Sequence, residues 1–97
     1  MDTNTIASFW SAVDRYCQGV AGSVTSGRRT PARNKFVGAP PTSAHLAGLG
    51  ADVVVDSAVG ADERHRLAGE LELKLIIEDD HDHLQPAGWS PAPTQET

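Results

Sequence analysis

The apolar residues Ile6, Phe9, Trp10, Val13, Tyr16, Cys17 and Val20 recur at spacings of three and four. That stripe predicts an amphipathic helix from Asn4 to about Val20, one face of which must be covered by the rest of the chain. Thr3 or Asn4 can cap its start, and Gly19 and Gly22 lie where it should stop. The partner for this face has to be small. A chain of 97 residues hides only roughly 60–65% of the surface that its unfolded form exposes, and five aromatics are available to fill the core. A bound metal is one recognised reinforcement for a domain of this size. A disulfide is not available, because Cys17 is the single cysteine; it is expected to be a free, half-buried thiol on the helix.

Residues 23–26 form a short β-favouring run, after which Gly27, Pro31, Gly38, Pro40 and Pro41 punctuate a long loop that reaches His45. Loops of this length in compact domains usually carry function. The β-branched run Ala51 to Val55 reads as a strand buried on both faces. From Ala61 to about Gly69 helix formers follow acids in the first turn, with Arg64 and Arg66 further on to suit the helix dipole. His65 is expected to be a surface residue of that helix. Leu73, Leu75 and Ile77 alternate with Glu72, Lys74 and Ile76, and the acidic turn Glu78 to Asp80 leads into a second extended segment, His81 to Gln85, as in a β-hairpin. From Pro86 onward three prolines and the lack of periodicity predict an irregular tail. The expectation is therefore one α+β domain over residues 1–85 and a tail over 86–97. Its small, mainly antiparallel sheet should hold strands near Val24, Ala51, Leu73 and His83, with both helices packed on it.

Charge removes one class of function. With a net charge of −5 and a pI near 5.1, the chain lacks the clustered cations that bind a nucleic-acid backbone. Arg28, Arg29, Arg33 and Lys35 do gather, but the cluster is too short for that purpose and better suited to holding a carboxylate. No apolar run approaches the roughly 20 residues of a membrane span. The N-terminus also lacks the basic start and apolar core of a secretion signal, so the chain is expected to be made in the cytoplasm.

Two segments carry candidate chemistry. In Ser43 to Asp52, SAHLAGLGAD, a His and an Asp stand seven apart with glycines between them, which disfavours a helix and puts His45 on a loop and Asp52 near the start of a strand. A carboxylate beside Val53, Val54 and Val55 needs a partner, and either a metal or one of the loop arginines would serve. In EDDHDHLQ, Glu78 to Gln85, His81 and His83 are two apart and point to one face of a strand; alone, such a run is often a solvated polar turn. Together, His45, Asp52 and a closing histidine make a two-imidazole, one-carboxylate set, the ligand class of a catalytic zinc that keeps one position open. Water on such a zinc ionises near pH 7, at about pKa 7.

These residues resemble a known family. SAHLAGLGAD is similar to the SxHxxGxAxD signature of peptidase family M15, the zinc D-alanyl-D-alanine carboxypeptidases and L-alanyl-D-glutamate endopeptidases with the Hedgehog/DD-peptidase fold. VTSGRRTPARN, Val24 to Asn34, resembles the stretch that precedes that signature in the family, and DHDHLQ from Asp80 resembles its closing D-H-x-H strand. The resemblance implies His45, Asp52 and His83 as ligands of Zn²⁺, Asp80 as the acid/base carboxylate and His81 as a stabiliser of the oxyanion. It further implies Arg29 and Ser43 as substrate contacts. Gly50 and Arg28 depart from the family pattern, and Glu78 and Asp79 are rival carboxylates. Asp80 has the family spacing to His83, but this choice requires a bend between Asp80 and His81, since on an unbroken strand Asp80 would face away.

The implied activity is hydrolysis of a peptide bond in peptidoglycan stem peptides, by a monomer with no nucleic-acid or membrane partner and with its metal at one edge of the sheet, facing the long loop. A phage-encoded lysis enzyme or virion-associated enzyme, in contact with other virion proteins, is the expected setting. A bacterial recycling enzyme or a fragment of a longer chain also fits. A non-catalytic metal-binding or virion structural module that keeps the fold is the alternative function.

Overall fold

A computed structural model of the chain describes residues 3–26, 44, 48–55 and 58–89. Among them, two helices and a four-stranded antiparallel sheet form the small α+β fold that the periodicities predict. Helix α1 spans Ile6–Val20, strand β1 Gly22–Ser26, strand β2 Ala51–Val55, helix α2 Ala61–Glu70, strand β3 Leu73–Ile77 and strand β4 Asp82–Pro86. The strand order is β1-β2-β4-β3, which makes β2 and β4 central. No helix among the described residues is long and apolar enough to cross a membrane.

The start of α1 differs from the expectation. Thr5 is the cap, its hydroxyl accepting the N–H of Ser8 at 3.2 Å, whereas the Thr3 hydroxyl donates to the carbonyl of Glu72 at 2.7 Å. Thr3 thus ties the N-terminal segment to the residue before β3 instead of capping the helix. The helix also runs through Gly19 and ends at Ala21, which takes a left-handed conformation with φ 52°. Gly19 matters for packing: a Cβ there would lie 2.5 Å from Cδ2 of Leu67 on α2, so its bare backbone lets the second helix approach the first.

Phe9, Ala12, Val13, Tyr16 and Val20 of α1 and Ala68 of α2 pack with Ala51, Val53, Leu73, Leu75 and Leu84 of the sheet into one core. All these strand residues share a face, as alternation along a strand requires. Both helices lie there, so β2 is not buried on both faces as its β-branched composition suggests. Ala51 and Val53 are buried, while Asp52 and Val54 turn partly to the other side. The expected hairpin is present, with the N–H of Glu78 donating to the carbonyl of His81 at 2.9 Å across its turn. β4 continues to Pro86, which is buried, and Trp89 packs against the core. The core therefore takes in the first residues of the segment expected to be a tail; residues 90–97 lie outside the described part.

One polar group interrupts this core. Asp82, 1% exposed, lies on the helix-facing side of β4, where it accepts from the Tyr16 hydroxyl at 2.8 Å and from Arg64 Nη1 at 2.5 Å. Arg64 is thus not spent on the helix dipole. Its neighbour Arg66 stays outside and pairs with Glu63 and Glu70 on the exposed side of α2, and His65 is exposed as expected. Tyr16, Asp82 and the partly buried Arg64 join α1, α2 and β4 through charge-assisted bonds, which are stronger than neutral ones. Burial pushes the Tyr16 hydroxyl pKa up, and the Asp82 acceptor pushes it further.

Arg64→Met leaves the buried carboxylate without its cation and is expected to lower the unfolding free energy by about 3–5 kcal/mol, read by urea titration. Tyr16→Phe removes one hydrogen bond to a charged acceptor, an expected loss of about 1.5–3 kcal/mol. The Tyr16 contribution is complete below the ordinary tyrosine value of 10.0 and is lost as pH rises through the higher value of the folded state. Wild type should accordingly weaken in that alkaline range by a phase that Tyr16→Phe lacks.

Candidate metal centre

On the face of the sheet away from the helices, Asp52 of β2 is the register partner of His83 of β4. Direct cross-strand partners hold their Cβ atoms about 4.5–5.5 Å apart, so two ligand-type side chains meet without any loop to bring them together. Since β2 and β4 are the central strands, the pair sits in the middle of the face away from the helices and not at the edge of the sheet expected from the sequence. His83 Nδ1 lies 3.4 Å from Asp52 Oδ1, and the two side chains are 14% and 17% exposed. That is long for a charge-assisted hydrogen bond. It does match the separation of about 3.3–3.4 Å between two donors that each stand about 2.0–2.1 Å from a tetrahedral zinc. A hard carboxylate oxygen and an imidazole nitrogen are also donors that zinc accepts, so the pair fits two corners of such a site.

The remaining ring nitrogen of His83 is held as well, with Nε2 2.9 Å from Gln85 Oε1. His81, two residues earlier, is on the same face. Its Nε2 lies 3.7 Å from Asp52 Oδ1, and its Nδ1 is 2.6 Å from Asp80 Oδ1. The chain bends at Asp79 and Asp80, ahead of β4, where the Asp80 carboxylate meets the ring of His81. Among the described residues, Asp80 is the one of the three turn acids that hydrogen-bonds His81; its own side chain is 89% exposed. The Asp80 hydrogen bond raises the pKa of His81; burial opposes this, and the charges of Asp52, Asp80 and Glu78 add to the rise.

β1 bears on Asp52 from the other side. Its pairing with β2 shifts between Val24, opposite Val53, and Ser26, opposite Asp52. The extra residue, Thr25, makes a bulge, a device that re-aims side chains beside functional sites, and its hydroxyl donates to the Asp52 carbonyl at 3.3 Å. Arg29, Ser43 and His45 lie outside the described residues, as do Arg28, Arg33 and Lys35. Described residues on either side of His45 are anchored: the Leu49 N–H donates to the Ala44 carbonyl at 3.0 Å, and Trp10 Nε1 donates to the Gly48 carbonyl at 3.0 Å. Gly48 has φ 75°, a conformation that a side chain would strain. Among the described residues no three His, Cys, Asp or Glu side chains are grouped to hold a metal ion, and the third expected ligand, His45, is not one of them.

A cleft of about 340 Å³ opens where β4 begins, bounded by Val55, Val59, Arg64, Asp80, His81 and Asp82. Among the described residues, Asp80 and His81 border this cleft, whereas Asp52 and His83 are not part of its lining. Sequence reasoning missed the Tyr16, Asp82 and Arg64 group and Gln85. The same period of two that aligns His81 with His83 puts Asp82 and Leu84 on the opposite, core side and Gln85 with the histidines, so alternation already held the signal for both.

In the metal-free chain, an NMR titration of His81 should give a midpoint above the ordinary 6.5, and Asp80→Asn should lower it. The stability that His81 contributes is complete below that ordinary value and is lost as pH rises through the raised one. No family model, curated protein or solved structure matches the chain.

Proposed function

We propose that the protein is a zinc-dependent peptidase of the Hedgehog/DD-peptidase type that hydrolyses a peptide bond in peptidoglycan stem peptides. The observation that carries this reading is the 3.4 Å approach of Asp52 Oδ1 and His83 Nδ1, with the Asp80 and His81 pair beside it. Asp52 and His83 would hold Zn²⁺ together with His45, which the M15-like signature supplies. Bound there, the ion would supply Lewis acidity and bring the pKa of water to about 7.

The other groups divide the proton work. Asp80 engages His81 through one carboxylate oxygen and, being exposed, takes the proton of the attacking water with the other, then returns it to the leaving amine. His81, whose charged form Asp80 favours, donates to the carbonyl oxygen as negative charge builds on it. Arg29 and Ser43 hold the stem peptide, Arg29 with the planar fork of donors that suits a carboxylate. Cys17 takes no part; it sits on α1, and burial followed by the charge of Asp14 raises its pKa, which keeps the thiol unreactive.

Incubation with purified peptidoglycan should release soluble muropeptides, detected by mass spectrometry, with release abolished by chelator and restored by zinc. Asp80→Asn should reduce release by about 10²–10⁴-fold while zinc stays bound. Because zinc binds the folded chain, chelator should also lower Tm. Zinc-loaded protein that releases no fragments would leave the non-catalytic metal-binding module as the better account.

A further inference from the structure

We infer that Gln85 is a positioning residue for the metal centre, fixing the ring and the tautomer of His83; this rests on the zinc reading of the site. On β4, His83 and Gln85 are two residues apart and share the face away from the helices. The imidazole uses its two nitrogens in different directions. Nε2 points along its own strand to Gln85 Oε1 at 2.9 Å, and Nδ1 points across to Asp52 on the next strand at 3.4 Å. An amide oxygen only accepts, so the proton in this contact belongs to Nε2, and the neutral ring then presents a lone pair at Nδ1.

In that tautomer Nδ1 is the nitrogen that can share a cation with Asp52 Oδ1, 3.4 Å away. Imidazole ligands are generally held in this way, with the nitrogen away from the metal donating to a fixed acceptor. Gln85 is itself placed by the sheet, since its strand position is the register partner of Lys74 on β3. Its side chain is half-buried and lies on the face opposite the core, so it can be changed without disturbing the packing beneath.

The test is zinc affinity by chelator competition, with the visible spectrum of the cobalt(II)-substituted protein and the metal-free Tm as companions. Gln85→Leu removes the acceptor and is expected to weaken zinc binding about 10–100-fold and to alter the cobalt spectrum, with the metal-free Tm near wild type. Gln85→Glu retains an acceptor at the same reach and is expected to keep affinity near wild type. Wild-type affinity in Gln85→Leu, or equal losses in both variants, would overturn the role of Gln85 while leaving the zinc reading intact. A wild-type chain that takes up no zinc would overturn both.

Discussion

Asp82 is the point on which the rest of the structure turns, because a carboxylate buried on the core side of β4, opposite Val53, is tolerated only where cation and donor are brought to it. Tyr16 from α1 and Arg64 from α2 do so, at 2.8 and 2.5 Å. An uncompensated buried charge would be costly, so packings in which either helix is displaced, or in which β4 is rotated to show its other face, are selected against. Hydrophobic burial drives this small domain together without direction. The Asp82 contacts give it one.

The orientation of β4 is what makes the face away from the helices a candidate centre. Strand residues alternate, so locking Asp82 and Leu84 toward the helices sends His81, His83 and Gln85 the other way, and register with β2 sets His83 opposite Asp52. Two ligand-type side chains then rest on the central strands, while Asp80 sits on the hairpin turn just ahead of β4. The division suits hydrolysis. The groups that hold a metal need fixed geometry, and the group that shuttles a proton needs access to solvent and substrate.

Local periodicity made much of the fold legible. The stripe of α1, the run Ala51 to Val55 and the hairpin around the acidic turn are all patterns within fewer than twenty residues; the structure keeps the bounds of the Ala51 to Val55 strand and shifts ends of the others by one or two positions. What was hidden depends on which face meets which. Nothing in the spacing of Arg64 tells whether it lies along the helix dipole or reaches Asp82, and the composition of β2 does not reveal that both helices pack on one side. Among the site residues, Asp52, His81 and His83 come together as two strands in register allow. Asp80 joins them through a bend that the turn composition permitted but could not demand. Gln85 was passed over because a lone glutamine beside histidines has no motif, and its meaning appears only with the 2.9 Å contact.

The central claim is that Asp52 and His83 are ligands of one zinc ion, and X-ray absorption spectroscopy of the zinc-loaded chain tests it most directly. The account expects four nitrogen or oxygen neighbours at about 2.0–2.1 Å, with the outer-shell signature of two imidazoles, reduced to one imidazole in His83→Ala. A sulfur neighbour at about 2.3 Å, which would bring in Cys17, or an imidazole count unchanged in His83→Ala, would contradict it.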